Sequence, residues 1–163
     1  MPNYIGIDPG LNGGIALINN ANDLKGIWLI PTFTVGTKKE IDTKSLYQLL
    51  KPFKDNCKLV GIETQHAMPK QGVSSMFKIG KGYGIIIGIL TALELPYIEI
   101  RSLEWQKVMF AGLDRTNTKD LSKIIAQRLH PKCEFKASKR CTKIHDGMTD
   151  AVMIAHYTKL KAR

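Results

Sequence analysis

The first thirty residues of this chain narrow its choice of folds more than any other feature. Tyr4–Ile7 is short and apolar, and it halts at Asp8-Pro9-Gly10. Gly13–Ile18 follows a tight turn, and Asp23–Lys25 turns the chain into Gly26–Ile30, which Pro31 stops. Pro and Gly punctuate strands, so three close strands joined by short polar turns predict an antiparallel meander. A polar loop is expected over residues 31–42. Beyond it, Leu46, Leu49 and Leu50 stand at helical spacing in Thr43–Pro52. Leu59–Ile62 is a buried strand ending at Glu63, and a long helix runs from about Ser74 to Leu93. After Pro96, Tyr97–Ile100 is a fifth strand and Leu103–Phe110 a short helix. Lys119–Leu129 places Leu121, Ile124, Ile125 and Leu129 on one helical face, with Asn117 or Thr118 as cap. A basic loop over 131–144 leads into a last helix from about Asp146, which buries Met148, Val152 and Ala155. A meander followed by lone strands between helices predicts an α/β fold: a mixed sheet with helices on its faces. No linker or repeat divides the sequence, and 163 residues suit one domain spanning 1–163.

Charge points to a partner. Lys and Arg number 24 against 14 Asp and Glu, a net of +10. Residues 101–163 hold 14 of the basic and 6 of the acidic side chains, so most of the positive field comes from the last third. Such an excess favours a polyanionic partner. Three cysteines, Cys57, Cys133 and Cys141, make no disulfide framework, which suits a reducing compartment. The start lacks the basic and apolar regions of a signal peptide. The longest apolar run, Tyr83–Leu95, falls short of the ~20 residues of a membrane span. The expectation is a cytoplasmic protein with no membrane contact.

Four acids occupy unusual places. Asp8 and Glu63 stand where strands end, so both emerge at one sheet edge if those strands are neighbours. Asp146 and Asp150 are four apart on a helix and share a face. Each adjoins apolar sequence, where a carboxylate is costly without a neutralising cation. Taken singly, each is an ordinary turn former, helix cap or ion-pair member. Together, in a basic protein, they form an oxygen-only set suited to Mg²⁺ or Mn²⁺. Two such ions ~4 Å apart activate water and stabilise the leaving oxygen in phosphodiester cleavage.

The ordered motifs IGIDPG, GGIALI, VGIET and DGMTDAVMIA resemble those of the RuvC Holliday-junction resolvases, within the RNase H-like superfamily. MPKQGVSSMFKIGKGYG, LEWQKVMF and DGMTDA resemble a bacteriophage branch more than the bacterial enzymes. The resemblance covers nearly the whole chain. It implies a five-stranded sheet of order 32145 with helices on both faces, and a homodimer. It also implies nicking of two opposed strands of a four-way junction, dependent on two Mg²⁺ ions with Mn²⁺ as substitute, leaving a 5′-phosphate. Asp8, Glu63 and Asp150 match the family's first-strand aspartate, fourth-strand glutamate and final aspartate. On this reading Asp8 bridges both ions, Glu63 binds one and orients water, and Asp150 and Asp146 complete the shells. Bacterial members carry Asp or His three residues before the final aspartate. Here that position is Gly147, so Asp146 or His145 must serve. Oxygen preference and helical geometry favour Asp146, with His145 auxiliary.

His66, Met68, Lys70 and Gln71 follow Glu63 where related enzymes reach into the junction centre. Phe77, Lys78 and Lys81 on the next helix are further DNA-contact candidates. Lys136, Lys139, Arg140 and Lys143 run straight into the Asp146/Asp150 motif, where they suit phosphate contacts that position without reading sequence. Gly80, Gly84 and Gly88 recur every four residues with no Gly-Lys-Ser/Thr beside them. They predict a smooth helix face for close packing rather than a nucleotide loop; in the family this helix helps form the dimer. His130, Cys133, Cys141 and His145 have tolerable pair spacings for tetrahedral zinc but match no standard finger. Zinc there would withdraw His145 from the magnesium site. Two rivals compete with the nuclease. One is a non-catalytic branched-DNA binder on the same fold. The other, an ATPase of the sugar-kinase and actin class, needs two such domains and finds room here for one.

Overall fold

The structure is a computed structural model that describes residues 2–66, 70, 72–114 and 118–162, without the side chains of residues 118 and 119. Five strands form the central sheet: β1 (Asn3–Asp8), β2 (Gly14–Asn19), β3 (Leu24–Leu29), β6 (Cys57–Glu63) and β7 (Tyr97–Ile100). Their order is β3-β2-β1-β6-β7, which is 32145 when the sheet strands are numbered along the chain. β1–β2 and β2–β3 pair antiparallel, whereas β1–β6 and β6–β7 pair parallel. Between β3 and β6 lie β4 (Thr32–Val35), β5 (Lys38–Ile41) and α1 (Thr43–Leu50); α2 (Val73–Ala92) follows β6. The chain closes with α3 (Ser102–Met109), α4 (Thr118–Leu129) and α5 (Asp146–Lys161).

Strand alternation sends successive side chains to opposite faces, and each face has its own core. Ile5, Ile7, Ile15 and Val60 pack with Leu46 and Leu50 of α1 and Ile86 and Leu90 of α2. On the other face Tyr4, Ala16 and Ile18 meet Trp105 of α3, Ala126 of α4 and the apolar body of α5. Helices therefore cover both faces. α5 lies directly on the sheet: a Cβ at Gly6 would strike Ala151 O and Ala155 N. Gly6 thus lets the helix that carries Asp146 and Asp150 rest on the strand that ends in Asp8.

Two local expectations are corrected. Residues 31–42 are no loop, because β4 and β5 pair as a hairpin with Val35 opposite Lys38. Gly36, at φ +60°, makes the tight turn, and the Asp42 amide donates to Pro31 O at 2.9 Å to close the base. The buried face of α4 is also shifted. Leu121 and Ile125 pack against the core as expected and Ser122 and Ala126 are buried beside them, while Ile124 and Leu129 are 41% and 46% exposed. The contact line of α4 with α5 runs through Ser122, which hydrogen-bonds Asp150, and Ala126.

α2 departs from expectation in a third way. It is long and apolar enough, by length and composition, to cross a membrane. Within its twenty residues Ile86, Ile89 and Leu90 are buried. A Cβ at Gly80, Gly84 or Gly88 would meet nothing within 4 Å, so the glycine stripe faces open space within the chain.

Candidate active site

β1 and β6 are parallel neighbours in register through Ile7 and Ile62. The next residues are Asp8 and Glu63, so both carboxylates leave the same edge of the sheet. The start of α5 sits above that edge. A backbone bridge joins Gly13 to Gly147, and a Cβ at Gly147 would strike Asn12 O. Position 147 therefore admits no side chain, which accounts for glycine three residues before Asp150.

The acids feel one another. Burial raises the Asp8 carboxyl well above its usual range, and Glu63, Asp150 and Asp146 each raise it further. Asp150 is pushed up to about 6, chiefly by burial and then by Glu63 and Asp146, against a Ser122 hydroxyl that donates to it and the Lys123 charge. Such a cluster favours whatever cation can enter it.

Several residues hold the set in place, and sequence reasoning assigned none of them. The buried Trp105 indole donates to Glu63 Oε1 at 3.1 Å and fixes that carboxylate's orientation. Lys123 Nζ lies 2.7 Å from Asp146 Oδ1 and 3.6 Å from Asp120 Oδ1. Asp146 is thus already paired, with its side chain 58% exposed. A hint was available for Trp105, because a buried indole N–H seeks an acceptor. Lys123 offered none, since its partner lies on another helix.

His145 is the N-cap of α5 but makes no side-chain cap. Its Nδ1 is buried without a hydrogen-bond partner, and burial lowers the ring's basicity, opposed by Asp146. Its backbone amide donates to Phe135 O at 2.7 Å. Phe135 is buried, so the basic loop is pinned beside the start of α5. Lys139, Arg140 and Lys143 are exposed there, and Lys136 stands 3.6 Å from Glu134. His66 and Lys70 are exposed beyond β6, with His66 Nε2 3.2 Å from Thr64 Oγ1. Met68, Gln71 and Asn117 lie outside the described residues. Phe77 is 72% exposed and Lys78 is exposed, whereas Lys81 is paired with Glu40 at 2.8 Å.

The zinc set does not assemble. His130 Nε2 faces His156 Nε2 at 3.0 Å with the rings stacked, and Cys141 is exposed beside Ser138 Oγ. Among the described residues no group of three or more His, Cys, Asp or Glu side chains is drawn in closely enough to hold an ion. This includes the four acids, which share a field rather than a single point. Their chemistry still fits a hard dication: oxygen donors only, with Asp8 pressed by three other carboxylates.

No protein-family model and no curated protein sequence matches the chain. Solved structures do. A T. thermophilus RuvC in complex with Holliday junction substrate aligns with a TM-score of 0.61 at 14% identity, covering 98% of this chain and 95% of that one. The fold is that of the RuvC resolvases. A second Thermus thermophilus RuvC structure aligns at 0.56 with 16% identity over 98% and 97% of the two chains. The yeast mitochondrial Holliday junction resolvase Ydc2 aligns at 0.65 with 12% identity, over 97% of this chain and 78% of Ydc2. The RuvC fold is therefore shared at sequence identities where side-chain correspondence is carried only by position in the fold.

Proposed function

We propose that this chain is a metal-dependent, structure-selective DNA endonuclease that nicks four-way junctions and related branched DNA. The observation that carries the reading is the gathering of Asp8, Glu63 and Asp150, with Asp146, where β1 and β6 end beneath α5. Asp8, Glu63, Asp150 and Asp146 are the residues to hold Mg²⁺ or Mn²⁺. Bound there, the ions supply activation of water and stabilisation of the leaving oxygen, with 5′-phosphate products.

The chain's own groups set the stage. Trp105 orients Glu63, Ser122 and Lys123 steady Asp150, and Lys123 holds Asp146 until a dication competes for it. Asp146 is the fourth ligand on this reading, and His145 a neighbouring auxiliary group. Lys136, Lys139, Arg140 and Lys143 grip phosphates beside the cut. His66, Lys70, Gln71, Phe77, Lys78 and Lys81 face the branch. A second copy of the chain covers the open glycine stripe of α2, pairing two sites for two opposed strands.

A non-catalytic branched-DNA binder is the second reading, favoured by the Lys123–Asp146 pair, which neutralises one acid without metal. A nicking gel of four-way, Y-shaped and linear DNA in Mg²⁺ and in EDTA separates the two. The nuclease requires Mg²⁺-dependent nicks in branched substrates. It also requires Asp8→Asn to abolish nicking while junction affinity holds or rises, because a negative charge near phosphate is removed. Mg²⁺-dependent cleavage retained by Asp8→Asn sinks the assignment.

A further inference from the structure

The β4–β5 hairpin lies against α2, and the two flank a groove of about 260 Å³, just below the ~300–1,000 Å³ typical of ligand pockets. Leu11, Ile41 and Ile85 make an apolar floor, and Phe77 forms one wall. Lys38 and Lys39 from the hairpin and Lys78 and Lys81 from α2 stand around it, against Glu40 alone. Four positive side chains and one negative leave the lining at +3.

The groove shares its frame with the carboxylates. A smaller adjoining hollow has Leu11, Ile41, Lys78 and Gly82 in common with it, and reaches Pro9, Gly10 and Gln65. Pro9 directly follows Asp8, and Gln65 lies two residues beyond Glu63. Gln65 Nε2 also donates to Pro9 O at 3.5 Å. Lys39 Nζ donates to Leu11 O at 2.9 Å and to Asn12 Oδ1 at 3.2 Å. This ties the hairpin to the turn that touches Gly147 at the start of α5. The two hollows together thus extend from the hairpin to residues adjoining Asp8 and Glu63.

Its chemistry selects an occupant. Lysines around the opening call for an anion, and an apolar floor calls for a flat, weakly hydrated body. A duplex arm offers phosphates but keeps its base faces stacked away. An unpaired nucleotide offers both, and single-strand sites combine a cationic groove with an aromatic face, which Phe77 supplies here. We propose that this groove receives unpaired nucleotides of a strand leaving the branch point, with phosphate on Lys38 and Lys78 and a base on the Leu11–Ile41–Ile85 floor. The site deepens the junction-cutting reading and rests on it: it selects branches that expose an unpaired base next to the cut.

The groove and the glycine stripe are different faces of α2. At about 100° per residue, Ser74, Lys78, Lys81, Gly82 and Ile85 span one arc of about 100°. Gly80, Gly84 and Gly88 occupy the adjacent arc, and Phe77 falls within it, between Gly84 and Gly88. A second copy on the glycines leaves Ser74, Lys78, Gly82 and Ile85 on the uncovered arc and meets the groove only at Phe77.

The test uses the full chain in EDTA, with fluorescence anisotropy on an oligothymidylate and on a blunt duplex. Lys38→Gln removes one phosphate contact, and Ser74→Leu adds non-aromatic bulk to the groove from the exposed start of α2 without changing charge. Sedimentation velocity checks that each variant keeps the wild-type oligomeric state. For oligothymidylate, Lys38→Gln lowers the slope of log K against log salt by about 0.7. Ser74→Leu weakens oligothymidylate binding about tenfold, the loss of roughly one bound base, and leaves the slope unchanged. Blunt-duplex binding stays at the wild-type level in both. A 2-aminopurine placed at the unpaired position beside a branch changes its fluorescence with wild type and not with Ser74→Leu. Equal losses on duplex and single strand, or no loss on either, overturn the groove assignment. Failure of the parent reading looks different: no nicking in Mg²⁺ with single-strand binding through the groove intact.

Discussion

Replacing Asp150 by asparagine is expected to stabilise the metal-free protein at neutral pH. In the fold the Asp150 carboxyl is pushed from 3.8 up to about 6, mainly by burial. A raised acid binds its proton more tightly folded than unfolded. Below pH ~4 both states are protonated and nothing is lost. As pH rises from ~4 to ~6 the unfolded chain releases its proton first, and folding stability falls across that window. About two units at ~1.4 kcal/mol each make the full penalty about 3 kcal/mol at neutral pH. Asparagine removes that penalty and eases the pressure of Asp150 on Asp8, but forfeits the attraction of Lys123. The net gain is about 1–2 kcal/mol, which at ~2–4 °C per kcal/mol for a chain of this size is a rise of ~2–8 °C in Tm. Circular dichroism melts in EDTA at pH 7.5 and pH 4 measure it. The gain should appear at pH 7.5 and vanish at pH 4, and Mg²⁺ should raise the wild-type Tm more than the variant's. An equal or lower Tm for Asp150→Asn at pH 7.5, or a gain independent of pH, refutes a cluster under electrostatic pressure.

Trp105→Phe keeps an aromatic ring in the core but frees Glu63 from its indole donor. Nicking should fall about tenfold or more while junction binding in EDTA is retained, and equal loss of both would reduce Trp105 to a packing residue. Asp146→Asn should cost more activity than His145→Ala, with partial rescue at higher Mg²⁺ or Mn²⁺; the reverse order makes histidine the ligand. His156 is lowered to about 4 by burial and by His130 and Lys159, so its neutral form belongs to the folded state. Stability is therefore full above pH ~6.5 and is lost as pH falls toward ~4, by at most about 3 kcal/mol. The double variant His130→Leu/His156→Leu should flatten that part of the pH–Tm curve, and an unchanged acid slope would remove the pair from the account.

Much of the fold is legible residue by residue because its signals are local. Pro9-Gly10, Asp23–Lys25 and Pro31 punctuate the meander wherever the chain is cut into windows, and Leu46, Leu49 and Leu50 keep helical period in isolation. The acids at strand and helix ends are legible for the same reason: a carboxylate beside an apolar run is conspicuous without a structure. The β4–β5 hairpin was hidden because Lys38, Lys39 and Glu40 give it a loop's composition. Its strands are stabilised by each other and by α2 rather than by apolar alternation of their own. The α4 face was misjudged because a helical period tells which residues share a side, not which side a neighbour needs. Ser122 and Ala126 lie on the contact line with α5, where Ser122 hydrogen-bonds Asp150.

The site divides the same way. Which acids stand at strand and helix ends follows from the sequence. What holds them does not: Trp105 and Glu63 are 42 residues apart, Lys123 and Asp146 sit on different helices, and His130 meets His156 across the core. Propensity and pattern are properties of a few neighbouring residues, so a sequence carries them openly. A hydrogen bond, an ion pair or a shared electrostatic field depends on distances of a few ångströms between remote segments. Those distances exist only after the sheet, its glycine contacts and the two helical layers have brought the segments together.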